Sequence, residues 1–274
     1  MVGVQVTIDK FVVEYKNIPY SIFLRLYMMA ANRYKTKKET YTRSYAHKVY
    51  INKCDGIYMY VYYQNIRETE RCLHTLRVET RPEYYVHFKE ILEMIAEQAS
   101  QIEFVSCDVA YDIQKGLEDI VVIPVDARRT MSHYKTTRYF GKPEQRKQNG
   151  YCRIYDKRLE LEQNQGTYIT DDLSRIEIVY KVSEEILLND IVKYPPKQNK
   201  YYYAAVVTDW EALKKKQMER VINLRDGTEA YTQYVRREIK KNLTNQYRVD
   251  FDELIRMNWE KLIQETCSII LGVA

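Results

Sequence analysis

The stretch GYCRIYDKRLELEQNQG, Gly150 to Gly166, decides how the rest of the chain is read. It opens with strand alternation: Tyr151, Arg153, Tyr155 and Lys157 fall on one face, and Cys152, Ile154 and Asp156 on the other. Two tyrosines, an arginine and a lysine on one strand face allow two readings. One is a solvated sheet edge, where lysine discourages edge-to-edge pairing. The other is a tyrosine that attacks a phosphodiester, with cations beside it to hold the phosphate.

Composition narrows the choice. A chain of 274 residues, 45% hydrophobic, is enough for one large domain or two small ones with a shared core. No apolar run reaches the ~18 residues of a membrane helix. The N-terminus, MVGVQVTIDKFVVEY, lacks a basic segment followed by an apolar one, so no signal peptide is expected. Cys54, Cys72, Cys107, Cys152 and Cys267 form no C-x-x-C pair. They indicate neither a zinc site nor a disulfide framework, and a reducing, cytoplasmic setting is expected.

The net charge of +5 is mild, but its distribution is not. Between His133 and Arg158, eight basic residues (Lys135, Arg138, Lys142, Arg146, Lys147, Arg153, Lys157 and Arg158) face only Glu144 and Asp156. A second basic run, NRYKTKKETYTRSYAHKVY from Asn32 to Tyr50, interleaves cations with Tyr34, Tyr41, Tyr45 and Tyr50. Cations that track phosphates and rings that stack on bases suit single-stranded nucleic acid. Either run alone reads as a solvated loop; two together favour a nucleic-acid partner.

The first two thirds read as a duplication. VTIDKFVVEY (Val6–Tyr15) and SCDVAYD (Ser106–Asp112) are alternating strands around Asp9 and Asp108. YMYVYYQ (Tyr58–Gln64) matches YCRIYDK (Tyr151–Lys157), and LRVET (Leu76–Thr80) matches SRIEI (Ser174–Ile178). Three matches in one order at nearly one spacing argue for two copies of one αβ unit. A helix is expected after each copy: one from Pro82, carrying Tyr85, Phe88, Ile91, Leu92 and Ile95, and one over VSEEILLNDIVKY with Ser183 as N-cap. Tyr201–Val207 reads as one more strand. Three helices follow from Asp209, with twelve Lys/Arg balanced by eleven Asp/Glu, which favours packing or dimerisation.

Acidic residues in the second copy carry the chemistry. Asp108 and Asp112 share a strand face, and Glu177 sits mid-strand. A mid-strand carboxylate is costly unless paired, solvated or metal-bound. Singly, Asp108 and Glu177 read as partners of Arg153 and Arg175. Jointly, around a Tyr-Arg-Lys strand, they read as a site for a divalent cation near Tyr155. Tyrosine is a poor nucleophile at its ordinary pKa, and a metal with adjacent cations would favour the phenolate. Glu160, five residues on, joins them or acts as a base.

Taken in order, DVAYD, TTRYFGK (Thr136–Lys142), YCRIYDKRLE and SRIEI resemble the replication initiators of rolling-circle plasmids in Gram-positive bacteria, the Rep_trans family. Its relatives include nicking relaxases of some integrative conjugative elements. The resemblance covers about Ser106 to Lys181 and is most specific over Arg153–Glu160. It implies a site-specific single-strand DNA endonuclease and ligase, dependent on Mg2+ or Mn2+, acting as a homodimer. Its DNA would be a double-strand origin, an inverted repeat or cruciform that is single-stranded at the nick, with a host helicase as a candidate partner.

The resemblance also implies an α+β fold: a duplicated, curved antiparallel sheet similar to the saddle of TATA-binding protein, with helices packed on it. The expected division is residues 1–208, as repeats 1–100 and 101–208, followed by a helical segment 209–274 for dimerisation or DNA specificity. By position, Tyr155 resembles the nucleophile, with Arg153 beside it and Lys157 and Glu160 as motif partners. Asp108 and Glu177 resemble the metal ligands. Lys135, Arg138, Lys142, Arg146 and Lys147 are the expected DNA contacts. Tyr151, on the same face, is the rival nucleophile. The first copy has Tyr62-Tyr63-Gln64 where the second has Tyr155-Asp156-Lys157, so binding without chemistry is expected there. The expected role is a plasmid replication initiator; the alternatives are a conjugative relaxase with the same chemistry and a non-catalytic DNA-binding protein.

Overall fold

A computed structural model describes residues 2–54, 56–68 and 73–273; Cys72 lies outside the described residues. The chain runs β1 (Val4–Pro19), α1 (Tyr20–Arg33), β2 (Lys35–Thr40), β3 (Tyr45–Cys54), β4 (Ile57–Asn65), β5 (Leu73–Thr80) and α2 (Lys89–Ala96). It continues β6 (Ile102–Ile113), β7 (Ile120–Pro124), β8 (Met131–Tyr134), β9 (Thr137–Phe140), β10 (Cys152–Asp156), α3 (Lys157–Gln165) and β11 (Ser174–Leu187). The last elements are β12 (Tyr202–Val206), α4 (Lys215–Asp226), α5 (Gln233–Asn242), β13 (Tyr247–Val249) and α6 (Phe251–Leu271). Mixed elements with antiparallel strand pairing make this an α+β fold.

The chain divides into two compact units, each discontinuous in sequence. One contains Ile8–Asp108, Lys181–Pro195 and Asn258–Ala274 and is called here the β4 unit. The other, the β10 unit, contains Met1–Thr7, Val109–Tyr180 and Pro196–Met257.

In the β4 unit the strand order is β2-β3-β4-β5-β1. Alternation sends Val49 and Ile51 of β3, and Met59, Val61 and Tyr63 of β4, to one face, where all are fully buried. Helix α1 covers that face with Phe23, Leu26 and Ala30, one helical stripe. Phe23 stacks on Tyr63 with ring centroids 4.7 Å apart. The opposite face carries Tyr50, Tyr58, Tyr60 and Tyr62, all half-buried. Pro82 opens a turn of 3-10 helix, Pro82–Phe88, and α-helix proper begins only at Lys89.

In the β10 unit the order is β6-β11-β10-β9-β8, the same succession as β1-β5-β4-β3-β2. The register agrees too. Tyr62 faces Arg77 and Tyr60 faces Glu79 across β4 and β5. Across β10 and β11, Tyr155 faces Arg175 and Arg153 faces Glu177. A second, three-stranded sheet, β13-β12-β7, packs Val121, Ile123, Ala205 and Val207 against Val221, Leu224, Ile239 and Leu243 of the α4–α5 region.

Two local expectations need correction. The helix expected over VSEEILLNDIVKY is strand β11 as far as Leu187, then a 3-10 turn over Leu188–Lys193. Ser183 is therefore a strand residue. The β-branched and alternating residues of IEIVYKV carry the strand past the expected helix start. Lys157, expected to extend the strand, is the first residue of α3. Asp156 caps that helix, its carboxylate accepting from the Leu159 amide at 3.1 Å, and Gly166 closes it in the left-handed region.

Gly150 fixes how the chain enters β10. Its φ is +78°, its amide donates to the Val179 carbonyl at 2.8 Å, and its carbonyl accepts from the Tyr202 hydroxyl at 2.6 Å. A Cβ at this position would lie 2.9 Å from the Tyr201 ring. Gly150→Ala should therefore lower the free energy of unfolding by about 1–3 kcal/mol in urea titrations. Unchanged stability would contradict this account of the turn.

Candidate active site

Strand β10 carries the Tyr155 phenol, and β11 supplies its surroundings. The Tyr155 hydroxyl donates to Glu177 Oε1 at 2.5 Å. The Arg153 Nε donates to Glu177 Oε2, and its guanidinium lies 5.8 Å from the Tyr155 ring centroid. Arg175 approaches the same carboxylate at 3.8 Å and binds Asp112 of β6 in a bidentate pair, at 2.6 and 2.7 Å. Glu177 is thus a buried carboxylate between two guanidiniums and a phenol. Such a carboxylate is tolerable only because its oxygens are engaged by charged donors.

Helix α3 adds a second ion pair. The Lys157 ammonium donates to Glu160 Oε2 at 2.5 Å, and Asn164 donates to Glu160 Oε1 at 3.0 Å. Lys157 is buried; Glu160 is partly exposed. Burial pushes the Glu160 carboxyl up, but the bonds from Lys157 and Asn164 outweigh it and hold the group low. Burial opposes charge on Arg175 as well, yet its bond to Asp112 and the neighbouring acids leave it more basic than a free arginine.

Tyr155 itself is pushed far above the ordinary phenol range, first by burial and then by the charge of Glu177; Arg175 and Arg153 pull the other way without prevailing. The resting phenol is protonated, and its proton already points at a carboxylate. Tyr151 is more deeply buried, 7% exposed, and burial raises its phenol against the pull of Arg146. Asp108 belongs to the β4 unit, where it pairs with Lys10 at 2.9 Å.

The expected DNA contacts separate into two groups. Lys135, Lys142, Arg146 and Lys147 are exposed. Arg138 is not: it is 5% exposed and donates to the carbonyls of Leu117 at 2.5 Å, Ile120 at 3.0 Å and Arg225 at 3.4 Å. Burial depresses it to about 10. It ties the loop before β7 to the end of α4, so its expected role as a DNA contact is replaced by a structural one. Its place on β9, between exposed Tyr-Lys-Thr and Gly-Lys, hid this, since charge runs do not report which side of a strand is covered.

Two features escaped the sequence reading. One is Asp112 as the partner of Arg175, although its shared face with Asp108 was visible. The other is α3, whose Asp156 cap and terminal Gly166 were both present in the quoted stretch. Among the described residues, no group of three or more His, Cys, Asp or Glu side chains gathers as a metal site would. Likewise, no helix is long and apolar enough to cross a membrane.

No family model matches this sequence, and no curated protein is detectably similar to it. Among solved structures, the chain is similar to the rolling circle replication initiator protein from Geobacillus stearothermophilus, with a TM-score of 0.42 and 14% identity, over 88% of this chain and 97% of that one. A likeness of that degree fixes neither fold nor activity, so the residues themselves have to carry both.

The raised phenols have a measurable consequence. Tyr15, Tyr85, Tyr155 and Tyr202 are all held above the ordinary range, with burial the first cause in each. The unfolded chain ionises its tyrosines near pH ~10, whereas the folded chain keeps these protons. Folding stability is then full below pH ~10 and falls as pH rises beyond it. Urea unfolding at stepped alkaline pH should show this decline; a flat profile between pH ~9 and ~11 would contradict it.

Proposed function

We propose that this chain is a rolling-circle replication initiator: it nicks and rejoins one strand of a double-strand DNA origin through a covalent phosphotyrosine at Tyr155. The observation that carries this reading is the hydrogen bond from the Tyr155 hydroxyl to Glu177, with Arg153 and Arg175 beside the same carboxylate.

The chemistry follows from that geometry. The Tyr155 oxygen attacks the phosphorus as its proton passes to Glu177. The Tyr–O–P bond forms and the bond from phosphorus to the 3′ oxygen breaks. The proton lost by the phenol is balanced by the one the leaving 3′ oxygen needs to depart as a hydroxyl. Arg153 is placed to offset the charge that builds on the phosphoryl oxygens. The phosphotyrosine keeps the energy of the broken ester, so the 3′ hydroxyl can reverse the step and reseal the strand. Exposed Lys135, Lys142, Arg146 and Lys147 supply the backbone contacts such a substrate needs.

The reaction is further proposed to use Mg2+ or Mn2+. The donor chemistry fits, because these hard cations take carboxylate oxygens. Glu177 is the proposed ligand on the β10 unit. When bound, the ion would polarise the scissile phosphodiester and ease ionisation of the phenol. In its absence, Glu177 is occupied by Arg153 and the phenol, so a cation has to compete with them.

Two experiments test this. Incubation of supercoiled plasmid carrying the cognate origin with Tyr155→Phe should yield no nicked circle and no covalent protein–DNA adduct, while duplex binding persists within about three-fold. An adduct that survives the substitution and maps to Tyr151 would transfer the role to that residue. Isothermal titration of the DNA-free protein with Mn2+ should show binding that Glu177→Gln weakens at least ~ten-fold, about 1.4 kcal/mol. Equal affinity in both proteins would remove Glu177 from the cation site.

A further inference from the structure

In the β4 unit Tyr62 and Glu79 stand at the register positions of Tyr155 and Glu177, with Tyr60 in place of Arg153, and the sheet face they share is not an ordinary solvent face. Solvent faces of antiparallel sheets are normally polar. Here Tyr50 on β3 and Tyr58, Tyr60 and Tyr62 on β4 lie side by side, all half-buried, opposite the covered face of Val49, Ile51, Met59, Val61 and Tyr63. Ring centroids are 5.0 Å apart for Tyr50–Tyr60, 5.5 Å for Tyr58–Tyr60 and 6.4 Å for Tyr60–Tyr62. Tyr84 extends the row beyond Tyr58 at 5.7 Å, and buried Tyr45 backs Tyr62 at 5.4 Å.

Cations interleave with the rings. The Lys48 ammonium lies 5.2 Å from the Tyr60 centroid, and the Arg77 and Arg81 guanidiniums lie 5.4 Å from Tyr45 and 5.7 Å from Tyr84. Lys37 of the edge strand β2 faces Tyr50, its side chain 74% exposed. Glu39 is the acid that accompanies Lys37 and Lys48, at 3.3 Å from each.

From this arrangement we propose that the tyrosine face of the β4 unit is a stacking platform for single-stranded DNA, the non-catalytic counterpart of the β10 face. The proposal rests on the initiator reading above for the identity of the strand, but the platform is argued from its own residues. Every base has a π face, so a row of rings binds a strand without reading its sequence, while flanking cations follow the backbone. Along β4 the rings recur at 5.5 and 6.4 Å, wider than the ~3.4 Å rise of stacked bases. The strand it suits has its bases splayed apart, as a displaced strand next to a nick would.

The test uses the full chain with Tyr155→Phe, so that no cleavage occurs and its outcome is independent of the nucleophile. Binding of a fluorescent oligothymidylate is measured by anisotropy at two salt concentrations. Adding Tyr60→Ala should weaken binding about ten-fold, whereas Tyr60→Phe, which keeps the ring, should stay within about two-fold. Ultraviolet cross-linking of an iodouracil-substituted oligonucleotide to the chain without any change at Tyr60 gives a second readout free of folding effects. Adducts on peptides containing Tyr50, Tyr58, Tyr60 or Tyr62 would support the platform. Adducts confined to His133–Arg158, or a Tyr60→Ala protein that binds oligothymidylate normally but loses self-association, would overturn it; the latter would assign the face to a second copy of the chain.

Discussion

The site depends on the register of β10 against β11. Facing Arg153 to Glu177 and Tyr155 to Arg175 puts one carboxylate within reach of a phenol and two guanidiniums. A slip of one residue would send Tyr155 and Arg153 to the core face and bring Ile154 and Cys152 into their place. That core face, with Cys152, Ile154, Ile176 and Ile178 all fully buried, is what forbids the slip. Apolar burial on one side of the sheet therefore sets the geometry of the charges on the other.

Those groups are arranged in opposed pairs, Arg153 with Glu177 and Arg175 with Asp112. Pairing makes their burial tolerable, although the desolvation the cluster bears means that it adds little net stability. Its value lies in preorganisation. The phenol is held protonated and aimed at a carboxylate, and in the proposed reaction an arriving phosphate would meet an arginine already in place rather than one drawn from solvent.

Much of this was legible in the sequence, for identifiable reasons. Period-two alternation in YCRIYDK and SRIEI placed Tyr155, Arg153 and Glu177 on strands, and the repeated spacing exposed the shared strand order of the two units. What alternation cannot give is the far side of each residue. Arg138 reads as one more cation in a basic run, and only the packing of the β7 and α4 regions around it turns it into a tie between backbone carbonyls. Lys157 was misplaced because a strand and a helix can share a boundary residue, and the Asp156 cap is a local signal that outranks continued alternation. The segment after Lys181 failed for the opposite reason: a polar Ser-Glu-Glu stretch looks like a helix start unless the strand pairing that precedes it is known.

The two units also preserve a pairing that differs in what surrounds it. Glu14 holds Arg77 at 2.6 and 2.9 Å, just as Asp112 holds Arg175, and in each unit the arginine faces a tyrosine across the next strand pair. Since the β4 unit keeps the acid–arginine clasp while Tyr60 stands where the other has Arg153, the clasp is a carpentry joint common to both halves. Whatever the β10 half can do that its sibling cannot must come from the handful of side chains in which they diverge. The molecule carries its own blank, folded from the same plan, against which chemistry can be told apart from architecture.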